Sequence, residues 1–179
     1  IADDEGPIDE KNKNDAFIID IKKEYRALPS EQRSYPLFIC EKGGNKYYVI
    51  PMVGKGLWGP IWGYIALEKD LNTVYGASFD HKTETPGLGS EINQDSFQKQ
   101  FEGEKIFDDN GNFVSIKVIK GGAKKDDMHG VDALTGGTIT CNGVSEMLER
   151  TLNTYMAYFK KKQNVRVYRS ACKYCFAKN

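Results

Sequence analysis

Three short stretches of the 179-residue sequence combine glycines with side chains able to hold or touch a ligand. They are Gly54-Lys-Gly56-Leu-Trp-Gly59, His81-Lys-Thr-Glu-Thr-Pro-Gly-Leu-Gly89 and Asp132-Ala-Leu-Thr-Gly-Gly-Thr-Ile-Thr140. In the third, Gly136 and Gly137 separate the hydroxyls of Thr135 and Thr138, just ahead of a helical pattern. Such a loop suits an anion, because the first amides of a helix lack partners and face outward with the positive dipole end. By composition alone, the same loop also serves as a plain turn and cap. In the second stretch Pro86 fixes one backbone angle while Gly87 and Gly89 free theirs, which sets Leu88 on a tight loop.

The first stretch satisfies G-x-G-x-x-G, and Asp80 follows about 20 residues later, where a ribose-binding acid is expected in dinucleotide-binding folds. The context rejects that chemistry. The motif must open a helix, whereas Pro60 is followed by Ile61, Trp62, Gly63, Tyr64 and Ile65, a strand pattern. The glycines instead shape a loop that presents Leu57 and Trp58, although a tryptophan there serves a core as readily as a ligand. Cys172 and Cys175 form a C-x-x-C pair close to the C-terminus. Zinc would need a second such pair or histidines; Cys40 and Cys141 stand apart, and the only histidines are His81 and His129. A thioredoxin-type motif would need a strand before it and a helix after it. Free thiols or a local disulfide remain. His81 and Glu84 are read as loop-shaping residues, since nothing supplies further metal ligands. No metal site and no catalytic residue is assigned.

These loops must be held by a scaffold, and the rest of the sequence describes one. Tyr35 to Cys40 and Lys46 to Val53 read as strands joined by the hairpin signal Glu41-Lys-Gly-Gly-Asn45. Ile61 to Lys69 and Thr73 to His81 form a second pair around Asp70-Leu-Asn72. In the latter, Val74, Gly76, Ser78 and Asp80 alternate with Tyr75, Ala77 and Phe79. Gln94 to Phe101 fits a short helix, and Phe113 to Ile119 alternates again after the turn Asp109-Asn-Gly111. One long helix follows Asn142, with Val144, Leu148, Leu152, Tyr155 and Phe159 at helical spacing and Cys141 or Asn142 as N-cap. Lys160, Lys161 and Lys162 suit a helix C-terminus. The expectation is an α+β domain: an antiparallel sheet with one long helix in the C-terminal half and smaller helices packed on it.

Composition narrows the partners. Lys+Arg and Asp+Glu balance at 25 each, so no net field recommends nucleic acid or an anionic membrane. A hydrophobic fraction of 40% with 28% charged residues is that of a soluble globular domain. No apolar run approaches the roughly 18 residues that cross a bilayer. Residues 1–15 read as a polar linker, residues 16–165 as the domain and residues 166–179 as an extension without an assigned role. The start at Ile1 rather than Met reads as a trimmed one, so the lack of an apolar run here says nothing about an anchor.

Gly56-Leu-Trp-Gly59, Glu84-Thr-Pro-Gly-Leu-Gly89, Val118-Ile-Lys-Gly-Gly-Ala123 and Asp132-x-x-Thr-Gly-Gly-Thr138 occur in the order, and at about the spacing, of the FMN-binding domain family. The sequence resembles that family from about Leu37 to about Phe159, and within it the C subunits of sodium-translocating NADH:quinone oxidoreductases. The last motif resembles the signature read by flavin transferases, which attach FMN from FAD to its final Ser or Thr. Gly137 stands where the family usually has Ala.

The resemblance implies FMN bonded through its phosphate to Thr138, within a recognition motif that includes Asp132, Thr135, Gly136 and Gly137. It implies that Leu57, Trp58 and Leu88, with Thr85 and Gly87 in the same loop, flank the flavin ring. Lys120 would balance the phosphate charge, or is simply a solvated lysine at a strand end. A ring tethered only by its phosphate is free to pass electrons singly, so the implied role is a covalent-FMN electron relay. The implied partners are the other subunits of a membrane NADH:quinone oxidoreductase, and a flavin transferase during maturation. The implied location is the periplasmic side of a bacterial inner membrane, behind a single N-terminal anchor. Two alternatives are the G subunit of an Rnf-type ion-translocating complex and a flavin-free binding or assembly module of the same fold.

Overall fold

A computed structural model describes residues 16–161, and the polar run 1–15, Lys162 and the Cys172/Cys175 pair lie outside it. Strand β2 (Asn45–Lys55) lies between β1 (Phe38–Lys42) and β3 (Pro60–Leu67), and β4 (Val74–His81) completes an antiparallel sheet in the order β1-β2-β3-β4. Gly43 and Gly44 join β1 to β2 with φ of 59° and 78°. Positive φ at both central residues is what a type I′ hairpin turn requires.

Alternation decides the faces. Tyr48, Ile50 and Met52 of β2 and Ile61, Ile65 and Leu67 of β3 are buried on one face, whereas Tyr64 is exposed on the other. Helix α1 (Ile21–Ala27) is capped by Asp20, whose side chain accepts the Lys23 amide at 3.0 Å. It lies over the outer face, with Lys22 Nζ 3.4 Å from the ring centroid of Trp62.

The expected alternation along β4 breaks. A register shift at Ala66/Leu67 pairs Leu67 with Val74 and Ala66 with Gly76, which leaves Tyr75 as the extra residue. Val74 and Phe79 are therefore both buried although five positions apart. Beyond β4 the expected short helix is divided between α2 (Asp95–Gln98) and a 3₁₀ turn, Lys99–Phe101. Phe97 and Phe101 pack on Phe79 at centroid distances of 6.0 and 5.0 Å.

The strand expected over Phe113 to Ile119 forms only as β5 (Lys117–Ile119), and its partner β6 (Gly130–Asp132) runs parallel to it. Ser115 explains the short length: its φ of 61° takes the chain out of the extended region.

Helix α3 (Thr138–Thr154) starts a full turn before the expected N-cap, with Gly137 as N-cap. Tertiary packing overrides the weak local signal, since Thr140 and Cys141 of that first turn are buried. Val144, Leu148 and Leu152, together with Tyr155 and Phe159 in the chain that follows, are buried as their spacing predicts. Lys160 and Lys161 lie in the helical stretch over 156–161.

The approach of α3 to the sheet is close. A Cβ on Gly143 would lie 2.2 Å from the carbonyl oxygen of Lys55, and one on Gly54 would lie 2.8 Å from Cβ of Met147. Arg150 adds a polar tie, its Nη2 donating to the Val53 carbonyl at 2.6 Å.

Gly143→Ala sets two effects against each other. Alanine favours a helix interior by about 1 kcal/mol over glycine, but forcing a methyl into packed space costs about 1–3 kcal/mol. Because the obstacle is backbone rather than a flexible side chain, the clash should win. We expect a net loss of stability in urea denaturation of Gly143→Ala, whereas Asn153→Ala, at an exposed position of the same helix, should be neutral or slightly stabilising.

Candidate functional site

Helix α3 reaches the sheet at the end where β2 passes into β3 and where β4 exits. The turn before it is built by Gly136, whose φ is 75°, and closed by the Gly137 amide donating to the Leu134 carbonyl at 3.1 Å. A positive φ at the third residue of such a turn favours glycine. The first bond within the helix runs from the Cys141 amide to the Gly137 carbonyl at 2.9 Å. The amides of Thr138, Ile139 and Thr140 therefore take no partner within the helix, at its positive end. No side chain caps this end.

The Thr85 to Gly89 loop rests directly on that turn. A Cβ on Gly136 would lie 2.4 Å from Cδ2 of Leu88, and one on Gly137 would lie 3.4 Å from the Leu88 carbonyl oxygen. The loop is itself constrained. The Leu88 and Ser90 amides both donate to the Thr85 carbonyl, and the amide of Gly87, at φ 74°, donates to Glu91 Oε1. The Gly56 to Gly59 loop closes on itself through the Gly56 amide and the Gly59 carbonyl at 2.8 Å. It meets the end of β4, where the Lys82 amide donates to the Pro60 carbonyl.

Glu84 sits where these three segments meet, and only 5% of it is exposed. Its Oε1 accepts the Trp58 amide at 2.9 Å, and its Oε2 accepts the Thr140 hydroxyl at 2.5 Å. Its own amide donates to Nδ1 of His81 at 3.2 Å. Burial works to raise its pKa. The Thr140 hydroxyl and the amides of Trp58, Leu57 and Gly59 outweigh that, and hold the carboxyl below the ordinary glutamate value of 4.5.

Around this buried carboxylate stand exposed apolar side chains: Trp58 at 65%, Leu57 at 45%, Leu88 at 41% and Ile139 at 55%. A group of large apolar side chains left to water at one edge is the kind of surface that contacts a ligand or a partner. Neither Ile139 nor Thr140 stands out in the sequence. Thr140 could have been suspected from Gly89, where a Cβ would lie 2.4 Å from its hydroxyl. That reason operates only in three dimensions.

The structure thus brings together Leu57, Trp58, Thr85, Gly87, Leu88, Thr135, Gly136, Gly137 and Thr138. Lys120 and Asp132 belong to an adjoining group. Asp132 Oδ1 accepts the Ala123 amide at 2.7 Å, which braces the Gly121-Gly122 turn, where φ is 88° and 98°. Lys120 is exposed on that turn, and among the described residues no hydrogen bond or ion pair joins it to the 135–138 turn. A cavity of about 400 Å³, lined by Phe17, Phe38, Val49 and Tyr64 among others, lies on the outer face of the sheet and shares no residue with the site. Among the described residues, no helix is long and apolar enough to cross a membrane, and no group of three or more His, Cys, Asp or Glu could hold a metal ion.

A family profile described as the FMN-binding domain matches residues 56–153. The C subunit of the Na(+)-translocating NADH-quinone reductase of Vibrio anguillarum is 46% identical over 101 residues, which are 56% of this chain and 39% of that protein. The protein of the same name from Chlamydia trachomatis is 42% identical over 123 residues, covering 61% of this chain and 39% of its own length. The chain therefore spans about two fifths of these relatives. Among solved structures, the C subunit from Parabacteroides distasonis matches with a TM-score of 0.72 and 43% identity, over 81% of this chain and 70% of that one. NqrC from Shewanella oneidensis matches with a TM-score of 0.63 and 36% identity, over 70% and 58% respectively.

The Glu84 carboxyl gives a signed pH prediction. A carboxyl whose folded pKa is depressed contributes stability that is present above its unfolded pKa and lost as pH falls through the folded value. Glu84→Gln should be the less stable protein at neutral pH, by about 1–3 kcal/mol for lost charged hydrogen bonds. The difference should shrink as pH drops below the ordinary value of 4.5. Urea denaturation of both proteins across that range checks it; a difference independent of pH would show that Glu84 carries no depressed pKa.

Proposed function

The chain belongs to the FMN-binding domain family, and from that premise we propose that it is a covalent-FMN electron-relay domain with Thr138 as the attachment residue. The observation that carries this reading is the half-buried Thr138 in the first turn of a long helix, among amides without intrahelical partners and beside four exposed apolar side chains. The turn fits a phosphate, because Gly136 and Gly137 bring backbone close and the helix dipole favours the anion. Leu57, Trp58 and Leu88, exposed at the same edge, would cover a flat ring and exclude water from one side of it.

Attachment is a phosphoryl transfer. The Thr138 oxygen would bond to the phosphorus of the FMN half of FAD, the pyrophosphate bond would break, and AMP would leave as the hydroxyl proton is released. Bound FMN supplies one-electron chemistry, and the chain's own contribution is to hold, orient and shield it. A tether also sets the local concentration on the order of mM or more, so the carrier is not lost between turnovers. Asp132, Thr135 and the two glycines would be read by the flavin transferase. Lys120, exposed on the neighbouring turn, would lend positive charge without contacting Thr138.

At the level of the whole protein we propose the C subunit of a sodium-translocating NADH:quinone oxidoreductase, working with the other subunits of that assembly at a bacterial inner membrane. The likeness to proteins of that name over the same segment supports this reading. An upstream membrane anchor, with this domain on the periplasmic side, belongs to the same proposal.

The test is intact mass and visible absorbance after co-expression with a flavin transferase. The parent protein should gain the mass of FMN and keep flavin absorbance after denaturation. Thr138→Ala should lose both while unfolding cooperatively within about 0.5 kcal/mol of the parent, since Gly137 rather than Thr138 caps the helix. Thr138→Ser should keep the adduct, and Thr135→Ala should reduce it without abolishing it. An adduct mapped to Thr135 or Thr140 would overturn the assignment.

A further inference from the structure

Glu84 is a buried acid that the proposed attachment chemistry does not use. Its two oxygens face different parts of the site. Oε1 holds the loop that carries Leu57 and Trp58, through the Trp58 amide. Oε2 holds the third residue of α3, two places beyond Thr138, through the Thr140 hydroxyl. Two glycines make room for it. A Cβ on Gly56 would lie 2.5 Å from Oε1, and one on Gly89 would lie 2.7 Å from Oε2. An isolated buried carboxylate is costly, and this one persists because amides, a hydroxyl and the positive end of α3 surround it.

We infer that Glu84 is the positioning residue of this site, a two-ended clamp that fixes the Gly56 to Gly59 loop to the first turn of the helix carrying Thr138. Among the described residues no direct hydrogen bond joins these two elements; farther along, α3 is tied to the sheet by packing at Gly54 and Gly143 and by the Arg150 bond to the Val53 carbonyl. The side chains flanking a ring and the residue bearing its phosphate then keep one spacing, as a ligand held at both ends requires. The part of the inference that concerns a flavin rests on the proposed attachment at Thr138; the clamp itself does not.

Thr140→Val tests it with little change of shape, because valine keeps the volume and deletes only the donor to Glu84. Thr140→Ser keeps the hydroxyl and serves as the rescue. In a Trp62→Phe background, Trp58 is the only tryptophan. For flavin-free protein we expect Thr140→Val and Glu84→Gln to increase acrylamide quenching of Trp58 by up to about half, the room left to a side chain already 65% exposed, as the loop loosens. Thr140→Ser should match the parent, with circular dichroism and cooperative unfolding retained in all.

In protein carrying FMN, confirmed by intact mass, flavin fluorescence anisotropy should fall in Thr140→Val and recover in Thr140→Ser. Quenching identical in Thr140→Val and Thr140→Ser would overturn the clamp. If the parent acquires no flavin, the proposed function fails while the Trp58 measurement still decides the role of Glu84. If Glu84→Gln fails to fold, the Thr140 pair alone decides the matter.

Discussion

The close contact between α3 and the β2–β3 hairpin is the constraint on which the rest depends. Gly143 lies against the Lys55 carbonyl and Gly54 against Met147, so neither partner has room for a side chain at the crossing. That contact fixes the height of the helix along the sheet. With the height fixed, the first turn of α3 must emerge beside the β2–β3 loop and the exit of β4. Below the crossing, Val144, Met147, Leu148 and Leu152 bury the apolar face of the sheet and anchor the arrangement.

On this base the edge combines two environments that ordinarily exclude each other. A buried carboxylate with a full set of donors lies directly beneath apolar side chains that remain open to water. The polar part is rigid because an unsatisfied buried charge is expensive, so its donors are held in place. The apolar part is stable in its exposure only because the loops beneath it are tied down. A surface that held FMN at Thr138, as proposed, would need both properties. The site therefore has the character of a preorganised shelf rather than an enclosed cavity.

The β5–β6 pair has a separate task. Asp132 ends β6 and braces the Gly121-Gly122 turn, while its own amide donates to Gln100 Oε1 at 2.8 Å. The Val118 amide donates to the Ser145 hydroxyl on α3, and Lys117 pairs with Glu149 on the same helix. The approach to the 135–138 turn is thereby held from the other side. Asp132, which by resemblance belongs to a recognition motif, is in this fold a structural brace.

The sequence by itself determined the parts governed by local chemistry: the strands through their aromatic and β-branched runs between turn signals, the β1–β2 hairpin through its paired glycines, the buried stripe of the long helix through its spacing. It also rejected the dinucleotide reading, since Pro60 opens a strand, and it marked the three loops that gather at one edge. What it could not determine depended on contacts between distant residues. The helix begins at Thr138 because Thr140 and Cys141 are buried by packing, although threonine, glycine and cysteine are weak helix signals. Ser115 stops a strand through a backbone angle that its residue type does not announce, and the register shift at Ala66/Leu67 hides Phe79 and Val74 on one face. Glu84 could be read as shaping its loop, but its partnership with Thr140, 56 positions away, exists only once the chain is folded. Hydrogen-bond partners across such separations follow from the tertiary fold, which places three loops around one carboxylate.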